Sequence, residues 1–182
     1  MNPLDVICRY YEPGTTAYHF LVHHSRLVAR KALDIAGRIA SLSPDIAFIE
    51  EAAMLHDIGI FHTDAPKLGC FGYRDYVCHG YIGRELLEKE GLPRHALVCE
   101  RHVGMGITLE EIKGKALPLP LREMMPVSLE EKIVCFADKF FSKSEHELLR
   151  EKSWDQVREM IALYGPEKLA AFDEWAVLFN VR

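Results

Sequence analysis

Apolar residues recur at intervals of three and four along much of the chain, which is the spacing of amphipathic helices. Residues 17–40 follow this spacing without a proline and predict one such helix. Residues 77–90 predict another, which Gly91 ends because glycine readily adopts the left-handed conformation found after a helix. A short helix is expected from Pro93 to about Val103. No segment alternates apolar and polar residues between turn signals, so the pattern predicts an all-α fold.

Polar and turn-forming residues mark where other helices begin and end. Ser43 and Pro44 fit the N-cap and first turn of a second helix, which is predicted to end near His56 and to stop at Gly59. The capping-box pattern, in which the N-cap residue and the third helical residue bond each other's amides, occurs three times: Thr108–Glu111, Ser128–Glu131 and Ser153–Gln156. Loops are predicted where prolines and glycines cluster, at 62–75 and 115–126.

The composition is that of a folded domain rather than of a disordered, fibrous or disulfide-stapled chain. Hydrophobic residues make up 49% and charged residues 27% of the 182 residues, and this length fits a single domain spanning 1–182. Apolar stripes within 144–182 predict C-terminal helices that complete the core or form an oligomer face, so a homodimer is one expectation. The net charge of −5 argues against general nucleic-acid binding.

The cysteines and the N-terminal segment bear on where the protein works. The five cysteines contain no C-x-x-C pair and are expected to be reduced thiols rather than disulfides. The first residues have no basic region before an apolar run, so no signal peptide is predicted. The sequence has no run of about 18 uncharged apolar residues that could cross a membrane. We therefore expect a cytoplasmic protein without a membrane partner.

Several polar residues fall on faces that should be buried. On a helix spanning 17–40, His24 lies on the apolar face, whereas the adjacent His23 lies on a polar face. The same reasoning turns other residues inward or places them at a helix end: His56, Asp57, His79, His102 and Asp138. A buried carboxylate needs a cationic partner, and helical bundles build metal sites from imidazoles and carboxylates that converge from different helices. These residues together predict a metal site.

The order of these residues resembles the HD superfamily of metal-dependent phosphohydrolases. The segment LHDIGIF at 55–61 looks like the HDIG form of its hallmark, and HHSRLVARKALDIA at 23–36 is similar to the helix that brings the first ligand. The segments CHGYIGRELL, CERHVGMGIT and IVCFADKF resemble those around the later histidines and the terminal aspartate. The resemblance covers about 24–142 and implies an all-α HD-domain helical bundle with a central metal site.

The resemblance also implies a ligand set and an activity. Carried over position by position, it makes Asp57 a bridge between two metals and makes ligands of four further residues, His24, His56, His102 and Asp138. His79 matches the additional histidine of members with a dinuclear centre, so two divalent transition metals are expected. Nitrogen and oxygen ligands suit iron or manganese and leave zinc, nickel and cobalt open. The implied reaction is attack of a metal-activated water on a phosphate ester, with Asp57 as the catalytic residue and a small nucleotide or dinucleotide as the substrate.

Other residues are candidates for holding the substrate. Four basic side chains could contact a phosphate: Lys31, Arg74, Arg101 and Lys139. A fifth candidate, His62, could replace a ligand or donate a proton. A structural or surface role explains each of the five as well or better. The aromatic residues of the loop at 62–78 either stack on a base or pack the loop down, and packing is the favoured interpretation for Phe71, Tyr73 and Tyr76.

Two other functions stay open beside hydrolysis. A minority of proteins with this fold resemble the same four-histidine, two-aspartate set but use a mixed-valent di-iron centre as oxygenases. Others have lost ligands and act as non-catalytic regulators. The HDIG motif and the compact layout favour the hydrolase over the oxygenase, and the presence of every expected ligand counts against a regulator.

Overall fold

The computed structural model describes residues 1–142 and 150–181, and its main elements are helices. These are α1 (Pro3–Ile7), α2 (Thr16–Arg38), α3 (Ile46–Leu55), α4 (His79–Lys89), α5 (Pro93–Arg101), α6 (Leu109–Gly114), α7 (Leu129–Asp138), α8 (Trp154–Ala162) and α9 (Pro166–Leu178). Two short strands, β1 (Asp64–Ala65) and β2 (Cys70–Phe71), pair antiparallel within the predicted loop at 62–75. The all-α prediction is confirmed. Of the predicted C-terminal segment 144–182, residues 144–149 and 182 lie outside the described residues.

The core forms where α2 packs against α3 and α7 while α4 packs against α5. The buried face of α2 includes Val28, Ala32 and Ile35, at the three- and four-residue intervals that the sequence predicts. Burying a side chain such as Val28 or Ile35 contributes about 1.5–3 kcal/mol to folding. Apolar contacts therefore hold in place the helices that carry the candidate ligands.

The C-terminal helices extend this core. Phe172 of α9 is fully buried and stacks on Phe136 of α7, with ring centroids 4.7 Å apart. Trp154 of α8 also stacks on Phe172, with ring centroids 4.9 Å apart. These aromatic contacts join α8 and α9 to α7. None of the helices in the described part of the chain is both long and apolar enough to span a membrane.

The start of α3 differs from the sequence prediction. Asp45 rather than Ser43 caps the helix, because Asp45 Oδ1 accepts a hydrogen bond of 3.1 Å from the Phe48 amide. Ser43 instead has a left-handed backbone with φ of 52°, and it ends the short 3-10 turn before α3. A left-handed residue cannot be the extended N-cap that the Ser43–Pro44 pattern predicted.

The prediction that Gly59 stops this helix is also wrong. The helix ends at Leu55, and Gly59 lies within a 3-10 turn over Ile58–His62. A Cβ atom at Gly59 would lie 2.2 Å from the His79 carbonyl oxygen and 2.5 Å from the Gly83 nitrogen. Glycine is therefore required here because the turn after His56 and Asp57 packs directly on the backbone of α4.

Two of the three capping boxes are confirmed, those at Thr108–Glu111 and Ser153–Gln156. At the third position, Ser128 caps α7 as predicted, but the Glu131 carboxylate does not complete a box. It accepts hydrogen bonds from Arg101 and from the Val127 amide instead. The end of α5 is thereby tied to the start of α7.

Candidate metal centre

All six residues that the sequence predicts as ligands meet at the centre of the bundle. His24 comes from the middle of α2, and His56 and Asp57 directly follow α3. His79 is the first residue of α4, His102 follows α5 and Asp138 is the last residue of α7. Asp138, the most exposed of the six, is only 7% exposed. Five segments therefore converge on one buried polar site, because each of the helices α3, α4, α5 and α7 has an end there.

Asp57 divides the site into two groups, one on each of its carboxylate oxygens. In the first group, Asp57 Oδ2 is 3.4 Å from His24 Nε2 and 3.3 Å from His56 Nε2. Asp138 Oδ1 completes this group, at 3.0 Å from His24 Nε2 and 3.4 Å from His56 Nε2. The four donor atoms lie within 4.8 Å of one another.

The second group forms on the other oxygen. Asp57 Oδ1 is 3.4 Å from His79 Nε2 and 3.3 Å from His102 Nε2, and these two nitrogens are 3.2 Å apart. Nitrogen and oxygen ligands bind a divalent metal such as zinc at about 2.0–2.2 Å, so one ion can bridge the donors of each group. The arrangement places Asp57 where a carboxylate can bridge two ions.

The imidazoles are held so that Nε2 faces the centre. In His56, His79 and His102, Nδ1 lies 2.6–2.7 Å from the carbonyl oxygen three residues earlier. A carbonyl oxygen can only accept, so each Nδ1 carries a proton, and in its neutral form each ring presents the Nε2 lone pair to the centre. Such outer hydrogen bonds are typical of metal-binding histidines because they orient the ring and raise its basicity.

The residues present fit divalent transition metals. His56 Nε2 is fully buried and, within the described residues, makes no hydrogen bond of good geometry. Imidazole nitrogens and carboxylate oxygens are donors that iron, manganese and zinc accept. The nearby thiols are turned elsewhere: Cys99 Sγ donates to the Leu55 carbonyl and Cys135 Sγ to the His102 carbonyl. Burial raises the pKa of Cys99 well above its usual value, which keeps this thiol protonated.

Burial and the two carboxylates give the histidines different charges in the metal-free protein. Burial lowers the pKa of His56, but Asp57 and Asp138 together outweigh it and raise that pKa to about 9. For His102, burial lowers the pKa to about 4, and the bond to Asp57 opposes this only in part. At neutral pH, His56 therefore carries a proton that a metal has to displace, because imidazole binds metals in its neutral form.

Lys139 links the two groups from outside. Its buried Nζ donates to Asp138 Oδ2 at 2.7 Å and to the His102 carbonyl at 3.0 Å. One ammonium thus holds a ligand of the first group and the backbone of a ligand of the second. Lys139 also lines the cleft that leads to the centre, so the sequence prediction of a substrate contact stays a prediction.

The other four predicted substrate contacts lie elsewhere. Lys31 Nζ is 2.5 Å from Glu151 and 4.0 Å from the centroid of the Phe140 ring. One guanidinium nitrogen of Arg101 donates to both carboxylate oxygens of Glu131, whereas Arg74 and His62 are exposed on the 62–78 loop. None of these four side chains is among the described residues that line the cleft.

A cleft of about 1120 Å³ opens onto the second group and onto Asp138. Its charged lining comprises five lysines and three carboxylates: Lys67, Lys115, Lys139, Lys152, Lys168, Asp64, Glu111 and Asp138. The cleft therefore carries a positive excess, although the whole chain has a net charge of −5. Sequence reasoning missed four of these lysines because they come from separate segments without a shared motif.

Comparisons with known proteins identify a family and several relatives of this chain. A family model described as HD domain matches residues 21–142. An uncharacterized protein of Methanocaldococcus jannaschii is 35% identical over 121 residues, which cover 65% of this chain and 64% of that protein. No solved structure gives a match.

Two further relatives are tRNA (cytidine(56)-2′-O)-methyltransferases. The one from Thermoplasma volcanium is 31% identical over 76% of this chain and 35% of its own length, and the one from Picrophilus torridus is 36% identical over 59% and 28%. The chain thus spans less than two thirds of each of the three relatives. Because the family match covers most of the chain and includes all six clustered residues, the chain belongs to the HD-domain family of metal-dependent hydrolases.

Proposed function

We propose that this protein is a phosphohydrolase that cleaves a phosphate ester of a nucleotide, with metal-activated water as the attacking group. The observation that carries this proposal is the division of the site by Asp57, whose two oxygens each face two imidazoles at 3.3–3.4 Å. This geometry suits a pair of ions held close together, which is the arrangement used for in-line displacement at phosphorus.

The six residues divide naturally between two ions. His24, His56 and Asp138 would hold one, His79 and His102 the other, and Asp57 both. When bound, two divalent metals lower the pKa of a coordinated water towards neutrality and offset the charge of a phosphate. We propose iron or manganese, with zinc, nickel or cobalt as alternatives, because the donors are nitrogen and oxygen.

The cleft supports an anionic substrate. Lysines outnumber carboxylates among the residues that line it, and Lys139 is fixed beside Asp138 at the inner end. Lys67, near the rim, has no ion-pair partner among the described residues and is exposed. The two relatives named as tRNA methyltransferases further support a substrate that contains a nucleotide. The free cysteines are consistent with a reducing, cytoplasmic setting.

The test is release of phosphate or nucleoside from a panel of nucleotides, with iron or manganese added, by wild type and Asp57→Asn. Asn keeps the shape of Asp57 but not its charge, so we expect activity to fall by more than about 100-fold, beyond the usual effect of changing an outer partner of a ligand. Asp34→Asn is the matched control, since Asp34 lies on the exposed side of α2 and pairs with Arg38.

The outcomes separate the candidate functions. Activity in wild type and Asp34→Asn, but not in Asp57→Asn, supports the hydrolase, and the preferred nucleotide then names the substrate class. Equal activity in Asp57→Asn and wild type contradicts the proposed role of Asp57. A protein that holds two irons yet releases nothing from any nucleotide would point to the oxygenase instead.

A further inference from the structure

The loop between the HD residues and His79 exposes two aromatic side chains. Phe71 is 80% exposed and Tyr73 is 81% exposed. The sequence analysis favoured packing of the loop's aromatic side chains against the protein. Phe71 and Tyr73 instead extend into solvent. Large aromatic side chains that stand in solvent on one short segment often mark a binding surface.

The backbone beneath these side chains is fixed. The Gly72 amide donates to the Thr63 carbonyl at 2.9 Å, and the Arg74 amide donates to the His62 carbonyl at 3.2 Å. A Cβ at Gly72 would lie 2.1 Å from the His62 carbonyl group, so the two chain segments are in direct contact. The exposed rings are therefore presented by a pinned backbone, which lowers the entropy lost when a ligand binds.

The aromatic segment borders the cleft of the metal centre. Phe71 pairs with Asp64 across the β1–β2 hairpin, and paired residues of an antiparallel hairpin project from the same face. Asp64 lines the cleft, so Phe71 lies beside a residue of the lining, although the side chains of Phe71 and Tyr73 are not among the described residues that line it. Tyr76 lines the cleft farther in, with its ring centroid 4.7 Å from that of His79. One aromatic ring thus lies next to the second group of ligands, and another lies beside the cleft on the outer surface.

Size and charge indicate what these rings bind. The cleft volume of about 1120 Å³ exceeds the roughly 300–1,000 Å³ of common small-ligand pockets. On the loop itself, Asp64 and Asp75 offset Lys67 and Arg74, so the positive excess lies in the cleft. Arg74 also lies over the Tyr73 ring, 5.2 Å from its centroid. Stacking rings at the rim and lysines along the cleft match the bases and phosphates of single-stranded nucleic acid.

We propose that Phe71, Tyr73 and Tyr76 form a base-stacking rim for a single-stranded nucleic-acid end of two or more nucleotides. The ester at that end reaches the metal centre, while a preceding base stacks on Phe71. Cleavage of the bound nucleic acid rests on the proposed hydrolase function, whereas binding of the nucleic acid to the aromatic residues does not.

Binding of the metal-loaded protein to a phosphorothioate-linked adenosine tetranucleotide, which resists hydrolysis, tests the rim by calorimetry. We expect Phe71→Leu to weaken binding about 5- to 150-fold, the range for loss of one base–aromatic stack, because leucine keeps apolar bulk without a ring face. Phe71→Trp should bind at least as tightly as wild type. Val177→Ala is the control, since Val177 is 72% exposed on α9 and does not line the cleft.

Four results would overturn the proposal or separate it from the proposed function. Unchanged binding by Phe71→Leu overturns the rim, and so does adenosine monophosphate binding as tightly as the tetranucleotide. If wild type hydrolyses nucleotides while Phe71→Leu binds the tetranucleotide normally, the rim fails and the hydrolase stands. If binding depends on Phe71 but no ester is cleaved, the hydrolase fails and the rim stands.

Discussion

Replacing Gly59 with alanine tests whether the turn after Asp57 needs its close packing on α4. A Cβ at this position would meet the His79 carbonyl oxygen at 2.2 Å and the Gly83 nitrogen at 2.5 Å, whereas ordinary contacts begin near 3.4 Å. The turn and α4 therefore have to separate by about 1 Å. Both neighbours are backbone atoms, so no side chain can rotate away to relieve the overlap.

The loss of folding stability in Gly59→Ala follows from these short distances. Overpacking of a well-packed interior costs about 1–3 kcal/mol, and we expect the upper end of that range because the clash is with backbone. For a domain of this size each kcal/mol lowers the melting temperature by about 2–4 °C, so Gly59→Ala should melt about 6–12 °C below wild type. Because α4 carries His79, the shift should also reduce metal binding at the second group more than at the first.

Thermal unfolding of the metal-free protein and metal content per chain measure the two effects separately. Gly37→Ala is the control, because Gly37 lies in α2 and a Cβ there would meet no atom within 4 Å. That variant should be stabilised by about 0.5–1 kcal/mol, since alanine is the better helix residue. A Gly59→Ala protein that melts with wild type and binds as much metal would refute the packing argument.

Three further predictions concern the buried bonds and charges of the site. Tyr11→Phe should lower the free energy of unfolding by about 1–3 kcal/mol, because the buried Tyr11 hydroxyl donates to the Ile58 carbonyl and accepts from the Phe61 amide, each at 3.0 Å. A denaturant titration measures this loss, with Tyr18→Phe as the control. Equal stability of the two variants would contradict the prediction. Metal affinity should rise with pH up to about 9, by as much as tenfold per pH unit, because the pKa of His56 is raised to about 9 and its proton must leave. In the metal-free protein the same raised pKa stabilises the fold below about pH 6.5, and this contribution is lost as the pH rises to about 9. Calorimetry of metal binding in two buffers of different ionisation enthalpy measures the proton that His56 releases. Metal uptake without proton release at pH 7 would contradict the predicted rise of metal affinity with pH.

The sequence predicts the helices and the clustered residues because both depend on local periodicity. A rotation of 100° per residue is enough to turn His24 inward and to leave His23 at the side, and the structure buries His24 at 2% exposure. The division of the ligands into two groups could not be predicted from the sequence. It depends on which oxygen of Asp57 each imidazole faces, and the spacing of residues along the chain does not determine this.

Lys31 shows where the same periodicity stops being informative. It lies about 20° from His24 in projection, but seven residues along a helix is also a rise of about 10 Å. At that distance Lys31 meets Phe140 and Glu151, which come from segments more than a hundred residues away in the chain. The cleft lysines were missed for the related reason that long-range packing, not a local pattern, brings them together.

The charges of the centre explain how two carboxylates can be buried side by side. Asp57 and Asp138 place two carboxylates in a nearly dry interior, where an uncompensated charge is very unfavourable. Lys139 supplies one positive charge through its bond to Asp138, and the raised pKa of His56 supplies a second. Lys139 and protonated His56 therefore offset the charges of the two buried carboxylates when no metal is bound. Under the proposed function, two dications would replace the His56 proton and make the centre positive, which would suit a phosphate ester.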